Sequence, residues 1–196
     1  MKRFFAMTLI FGAAAVAAAP AHAADVNLNV YSSWRQMNDS DLWEDLEDQY
    51  SLGGMVDFAK SGSPLHFVVG TLVGVGAKDF SNPLLNDAIS VENEFSFGIN
   101  KTWGKTGSTR PFVSGGVSFV RTEITLDAPG GDIKDDDDSL GFFVEGGVYW
   151  RLGPHVNLGL HGRILTGTSV ELFGEEGDAD YWEAGPMIGW SWPAKK

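Results

Sequence analysis

The amino-acid sequence predicts an all-β protein that folds as an eight-stranded, antiparallel, up-and-down β-barrel. Three observations lead to this fold class: apolar and polar residues alternate in eight segments, helical spacing is almost absent beyond residue 24, and long and short connections alternate along the chain. A period of two is expected of a strand whose two faces meet different environments. Alternating connection lengths place the long loops together at one end of a closed barrel.

The first 23 residues have the features of a cleaved secretory signal peptide. Lys2 and Arg3 precede an apolar run (4–19) and a small-x-small cleavage site (21–23). The run has 16 residues, fewer than the roughly 20 that a membrane-spanning helix needs. We therefore expect residues 24–196 to form a single barrel domain. Removing Lys2 and Arg3 changes the net charge from -12 to -14.

Composition and charge exclude several classes of function. The net charge of -12 and a pI near 4.6 exclude nucleic-acid binding, because a nucleic acid needs a basic surface to replace its counterions. The chain has no cysteine, so it holds no disulfide, thiolate metal site or cysteine nucleophile. No sequence feature predicts a cofactor.

Alternation of apolar and polar residues predicts each of the eight strands, and it is clearest in the fourth. Between Ile89 and Trp103 the odd positions are mostly bulky and apolar, whereas the even positions are polar or small. The third, sixth, seventh and eighth strands show the same division, and the first, second and fifth show a weaker one. The predicted strands are 26–34, 50–59, 65–76, 89–103, 110–125, 140–151, 155–164 and 181–192.

The predicted connections are long at 35–49, 78–88, 126–138 and 168–179, and short at 60–64, 104–109 and 152–154. Within the first long connection, residues 40–49 are expected to form a short helix, because Leu42 and Leu46 are one turn apart. Trp43 in this segment is expected to pack on the barrel mouth or to contact a partner.

The two-residue alternation of apolar and polar side chains does not by itself distinguish a membrane barrel from a soluble, lipocalin-like barrel with an apolar interior. The apolar faces hold more bulk than the lumen of an eight-stranded barrel accepts, and the polar faces are rich in glycine, which suits a narrow lumen. Tryptophans on the apolar faces lie at or near strand ends, as in the aromatic girdles of membrane barrels. These are Trp34, Trp103, Trp150, Trp182, Trp190 and Trp192. The sequence favours a transmembrane barrel with its short turns in the periplasm.

The signal peptide, the eight strands over 26–192 and the alternating aromatics Trp182, Trp190 and Trp192 carry a family resemblance. The chain resembles the outer-membrane β-barrel domain proteins of Gram-negative bacteria, and is similar in size to the OmpA membrane domain and OmpX. This resemblance implies an outer-membrane location and contact with membrane lipid and lipopolysaccharide, but no particular activity. Family members usually end in an aromatic residue, whereas residues 193–196 follow Trp192 here.

The polar faces of the predicted barrel place charged and titratable side chains in the lumen, with Arg35 and Arg121 near the rims. Buried charges persist only when they are paired, so we expect a salt-bridge network that plugs the lumen. In it, Arg163 and His161 would pair with Glu145 and Glu183. The predicted network contains Asp57, His66, Glu92, Glu94, Glu145, Arg151, His161, Arg163 and Glu183.

A catalytic interpretation of these residues is less favourable. Glu92 and Glu94 are about 7 Å apart along one strand, a spacing that could suit a general acid and base. However, the sequence shows no substrate cleft, and no serine lies within two residues of His155 or His161. We therefore predict no catalytic residues.

Acidic residues concentrate in the predicted long loops, which hold 18 of the 26. The run Asp135, Asp136, Asp137 and Asp138 is a possible divalent-cation site that could bridge to lipopolysaccharide phosphates. The run lacks the spacing of a calcium loop, and a solvated, self-repelling surface is the alternative.

The sequence thus predicts a non-enzymatic integral outer-membrane barrel with a structural or surface-interaction role. Two alternatives stay open: a narrow cation-preferring pore, and a soluble carrier of an apolar ligand. No protein partner is indicated.

Overall fold

A computed structural model describes residues 24–38, 40–43, 46–60, 63–82, 85–104, 109–128, 131–153 and 155–192. Eight strands form one closed barrel in which every neighbouring pair is antiparallel. This confirms the predicted eight-stranded, up-and-down fold. The predicted signal peptide (1–23) lies outside the described residues. No helix in the described ranges is long and apolar enough to cross a membrane.

The barrel strands follow one another in chain order around the wall, and the last closes onto the first. They are β1 (Ala24–Met37), β2 (Asp48–Lys60), β3 (Leu65–Asn82), β4 (Leu85–Thr102), β5 (Thr109–Leu126), β6 (Ile133–Arg151), β7 (Val156–Thr166) and β10 (Tyr181–Trp192). Between β7 and β10, the short strands β8 (Val170–Leu172) and β9 (Glu175–Gly177) form a separate hairpin. Helix α1 (Ser40–Trp43) follows β1.

The barrel is apolar outside and polar inside. Along β10, for example, inward positions such as Tyr181 and Glu183 are buried, whereas outward positions such as Trp182 and Ile188 are exposed. Outward aromatic rings are largely exposed, for example 76% at Tyr50 and 65% at Phe67. A soluble barrel needs the reverse arrangement, because water would meet the outer face.

The structure corrects the predicted connections 78–88 and 126–138. Most of the first is strand, because β3 continues to Asn82 and β4 begins at Leu85. In the second, the β5–β6 ladder continues to the pair Leu126 and Ile133. In both segments the strands stay paired although apolar and polar residues no longer alternate. The sequence offered no other sign of a strand, so these segments were predicted as loops. The predicted helix 40–49 is also shorter, since α1 ends at Trp43.

The acidic run therefore lies in β6 and not in a loop, and its carboxylates face opposite sides. Asp136 and Asp138 lie beside Arg121 of β5, with N–O distances of 2.5 and 3.4 Å. Asp135 and Asp137 face the other way, toward β8. The structure does not bring the four carboxylates together as a cation site, and no group of three or more potential metal ligands occurs among the described residues.

Three inward side chains of β6 hold the β8–β9 hairpin. The backbone amide of Phe173 donates to Asp135 at 2.6 Å, and that of Glu171 donates to Asp137 at 2.9 Å. A third bond, from the Ser169 amide to the Ser139 hydroxyl, measures 2.8 Å. Positions two apart on a strand face the same side, so these three side chains form a row of acceptors that we call the side-chain ladder. The ladder takes the place of backbone pairing between β6 and β8 and fixes the hairpin to the barrel.

We predict that the double substitution Asp135→Ala and Asp137→Ala releases this hairpin. Each charged hydrogen bond contributes about 1.5–3 kcal/mol, so amide hydrogen exchange at Glu171 and Phe173 should accelerate by about tenfold or more. Asp136→Ala with Asp138→Ala is the matched control, since it removes the same number of charges from the other face. Equal exchange rates in the two double variants would contradict the side-chain ladder.

Candidate functional site

The part of the lumen nearer the long loops is filled by charged side chains, which we call the lumen network. All of them point inward because of strand parity, and each is at most 4% exposed. The network comprises Arg35, Glu92, Glu94, Glu145, His161, Arg163 and Glu183.

Arg35 of β1 is fully buried and bonds both the neighbouring strand β10 and, across the lumen, strand β4. Its Nη1 lies 2.5 Å from Glu92, and its Nε and Nη2 each lie 3.1 Å from one oxygen of Glu183. Its guanidinium also stacks on Tyr181, 3.6 Å from the ring centre. Gly74 leaves the space for it, because a Cβ there would lie 2.7 Å from Nη1. The sequence placed Arg35 near a rim, whereas it lies at the centre of the network.

Arg163 of β7 is the second cationic centre. Its guanidinium donates to Glu94 through Nη2, and Nη1 lies 3.4 Å from Glu145. Its Nε donates to the Tyr181 hydroxyl at 3.1 Å, and that hydroxyl donates to Glu94 at 2.5 Å. The Phe143 ring stacks against the guanidinium at 4.0 Å. Tyr181 therefore contacts both arginines and connects the two halves of the network.

The observed pairing differs from the expected one at Glu183. Arg163 does lie beside Glu145, but Glu183 bonds Arg35. Glu183 is directly opposite Arg35 on one side and Arg163 on the other, so strand parity could not choose between them. Correspondingly, Glu92 and Glu94 bond different arginines.

A serine, a histidine and a carboxylate meet inside the network, which the sequence analysis missed. Ser33 Oγ lies 2.8 Å from His161 Nε2, and His161 Nδ1 lies 3.3 Å from Glu145 without hydrogen-bond alignment. The three come from β1, β7 and β6, so no local spacing could reveal them. All three are at most 4% exposed. A hydrolytic triad needs substrate access and an oxyanion site, so this burial favours a structural role.

Two apolar clusters enclose the network from both ends. The cap cluster joins the barrel to the loops and consists of Met37, Trp43, Leu46, Ala88, Val120, Ile124, Phe143, Leu165, Val170, Leu172, Ala179 and Tyr181. The lower cluster consists of Tyr31, Met55, Val68, Leu72, Phe112, Tyr149 and Met187. Trp43 is completely buried in the cap cluster and donates to the backbone oxygen of Asp178 at 2.7 Å. Of the two expectations for Trp43, packing on the mouth is therefore confirmed.

Asp180 secures the long connection that supplies the cap cluster. Its carboxylate accepts hydrogen bonds from Thr166 Oγ1 at 2.8 Å, from the Gly167 amide at 3.0 Å, and from the amide and hydroxyl of Thr168 at 2.9 and 2.7 Å. Burial alone would raise the pKa of Asp180, but these hydrogen bonds outweigh it and lower the pKa below its usual value. The carboxylate is therefore held in the charged form that this connection requires.

The remaining predicted lumen residues lie near the short-turn end. His66 Nδ1 is 2.5 Å from Asp57, which also accepts from Asn27 at 2.7 Å. Arg151 and His66 line a cavity of about 260 Å³ at this end, which we call the vestibule. The nine residues thus form two separate groups, because the lower cluster lies between them.

Carboxylates outnumber guanidiniums in the lumen network. Four glutamates face two arginines and one histidine, and Glu92 Oε1 and Glu183 Oε1 accept no hydrogen bond from any described residue. The arginines are therefore the groups on which the pairing depends.

The six tryptophans named from the sequence all face outward, with exposures from 37% to 44%. Trp34 and Trp182 lie toward the loop end, with ring centres 4.7 Å apart. The other four, Trp103, Trp150, Trp190 and Trp192, lie at the turn end. Along β10, the ten residue steps from Trp182 to Trp192 rise about 26 Å along the axis of a typically tilted barrel. This spacing matches the roughly 25 Å apolar band of outer-membrane barrels.

No protein-family model and no curated protein matches this chain. Several solved structures do. The outer membrane protein OprG from Pseudomonas aeruginosa matches with a TM-score of 0.61 at 11% identity, covering 88% of this chain and 97% of OprG. Ail, the attachment invasion locus protein of Yersinia pestis, solved with the heparin analogue sucrose octasulfate, matches with a TM-score of 0.55 at 7% identity, covering 87% and 99%.

Neisserial surface protein A matches with a TM-score of 0.54 at 12% identity, covering 86% of this chain and 97% of that protein. At these identities the likeness concerns the fold. The chain has the fold of small eight-stranded outer-membrane barrels, which confirms the resemblance drawn from the sequence.

We predict that the two charge types of the network are not equivalent. Arg35→Met leaves Glu92 and Glu183 without their cation, so the free energy of unfolding should fall by about 3–5 kcal/mol. Glu92→Gln keeps the side-chain volume and an acceptor for Arg35 while removing a surplus charge, and should change stability by less than about 1 kcal/mol. Urea unfolding followed by tryptophan fluorescence measures both. Equal losses in the two variants would refute the dependence on the arginines.

Proposed function

We propose that this protein is a closed, non-enzymatic integral outer-membrane barrel that stabilises the envelope or presents a binding surface at its loop end. The observation that supports this proposal most directly is an outward apolar band, bounded by tryptophans at both ends, around a lumen filled by buried ion pairs. The outer-membrane proteins that share this fold support the same location. Cleavage of residues 1–23 and export to the periplasm are part of the proposal.

The filled lumen supports an anchor over a pore. A solute crossing the barrel would have to displace the cap cluster, the lumen network and the lower cluster in turn. Arg35 and Glu92 are completely buried in the middle of this path. Displacing them would separate paired charges in a space with little water, which is costly.

The polar interior also argues against the soluble carrier. A carrier of an apolar ligand needs an apolar cavity inside the barrel, whereas the middle of this lumen is filled by the charged lumen network and by the two clusters packed against it. The vestibule is likewise lined by polar groups, among them Arg151 and His66.

The two ends of the barrel differ in charge. The loop end exposes carboxylates such as Asp136, Asp138, Glu175 and Glu176. Such a surface favours cationic partners, including divalent cations that bridge to lipopolysaccharide phosphates. It would disfavour polyanions of the kind bound to Ail, so a different partner class follows for this chain.

We predict that the apolar face is a lipid contact. Leu160 lies midway along β7 and is 54% exposed, so Leu160→Arg should destabilise the protein in vesicles by about 2–4 kcal/mol. Ile133→Arg is the matched control, because Ile133 is 51% exposed but lies at the loop end of β6. The folded fraction in vesicles, read by urea titration, distinguishes the two. Equal stability of both variants, with solubility in detergent-free buffer, would favour the soluble barrel.

We also predict that the wild-type barrel is electrically silent. Protein inserted in a planar bilayer should give no discrete current steps, because paired side chains fill the lumen. Heat-modifiable migration of the same sample and its recovery in vesicles control for folding and insertion. Reproducible unitary steps from such a sample would contradict the closed lumen and establish the narrow pore instead.

A further inference from the structure

The vestibule at the short-turn end is a built cavity that the proposed anchoring role does not use. It holds about 260 Å³ and is formed by the ends of β1, β3, β4, β5, β6 and β10. The lower cluster separates it from the lumen network, with Tyr149 belonging to both the cluster and the cavity wall. The vestibule is therefore a separate chamber open at one end of the barrel.

Two arginines meet in this chamber. Arg110 pairs with Tyr149 across β5 and β6, and Arg151 lies two residues beyond Tyr149 on the same face. Diagonal neighbours of this kind have Cβ atoms roughly 7 Å apart or less. Arg110 also hydrogen-bonds the Tyr149 hydroxyl, which orients its guanidinium. Two like charges are thus held side by side within the cavity.

Fewer carboxylates than guanidiniums line the cavity wall. Asp57 is engaged by His66 and Asn27, so its charge is largely committed. Asp25 is the only carboxylate among the described residues that line the cavity. Arg151 Nε is buried and donates to no acceptor among the described residues. The wall therefore holds two guanidiniums and one carboxylate, together with a buried Arg151 N–H that bonds none of the described residues.

The cavity wall also contains a hydroxyl group, that of Ser191, which can donate a hydrogen bond. Ser191 accepts a hydrogen bond from Asn157 at 2.7 Å, which leaves the hydroxyl hydrogen of Ser191 available to donate. Guanidinium groups bind oxyanions through parallel N–H bonds, and two of them can hold different oxygens of one tetrahedral group.

We propose that the vestibule binds a phosphate group between Arg110 and Arg151, with Ser191 as a third donor. The phosphate belongs either to a small soluble molecule or to the headgroup of a phospholipid in the adjoining leaflet. Trp103 and Trp192 line the same cavity and are both exposed, so a lipid headgroup could enter beside them.

The test uses the barrel without residues 1–23, folded in an uncharged glycoside detergent. Inorganic phosphate is titrated at constant ionic strength against chloride and followed by calorimetry and by phosphorus NMR. The wild type should bind saturably, and Arg151→Gln and Arg110→Gln should each weaken binding by about tenfold or more. Lys101→Gln is the matched control, since Lys101 is an exposed cation at the same end but does not line the cavity.

Heat-modifiable migration establishes that each variant is folded before its binding is compared. Absence of saturable binding to wild type, or equal binding by Arg151→Gln and wild type, would overturn the site. The source of the phosphate follows from a second arm in which phosphatidylglycerol, or diacylglycerol as its uncharged counterpart, is added to the micelles. Displacement of inorganic phosphate by phosphatidylglycerol alone assigns a headgroup, and lack of displacement assigns a soluble phosphate.

Discussion

The rest of the structure depends on the pairing of charges within a lumen too narrow for water to stabilise them. Arg35 and Arg163 supply the cations, and four glutamates from β4, β6 and β10 surround them. This requirement explains the glycine at position 74, whose missing side chain leaves room for Arg35. It also explains why Tyr181, an aromatic residue with a polar tip, lies where the two arginines come closest. The barrel wall can carry exposed apolar side chains on its outer surface because its inner surface is filled.

Strand parity allowed much of this arrangement to be predicted from the sequence. It assigned the nine predicted network residues to the inner face and every named tryptophan to the outer face, because alternation survives wherever the two faces meet different environments. Arg121, which was expected near a rim of the lumen, lies on the outer face beside Asp136 and Asp138. Parity did not identify partners. Glu183 faces arginines on both neighbouring strands, and the contact between Ser33 and His161 spans 128 residues. Such contacts depend on barrel stagger and side-chain length, neither of which a single strand contains.

The acidic run of β6 shows a different limit. Asp135 and Asp137 look like surface charge in the sequence, yet they are the acceptors that hold β8 in place. Four adjacent carboxylates gave no strand signal, since neither face there is apolar. Two of these carboxylates pair with the neighbouring Arg121, and the other two accept from backbone amides of the β8–β9 hairpin. This division is visible only in the structure, where β6 includes the acidic run. The β8–β9 hairpin is consequently held in a defined position on the barrel, which matters for any partner that recognises it.

The lumen network also bears on the order in which the molecule assembles. Arg35 bonds residues 57 and 148 positions away, and Arg163 bonds a glutamate 69 positions away. Contacts of such long sequence separation form late, because the chain entropy lost in closing them is recovered only at the end. A hairpin that forms early would carry these charges unpaired on its polar face. The pair Arg35 and Glu183 forms only when β1 meets β10, so closing the barrel and completing the charge pairing are the same event.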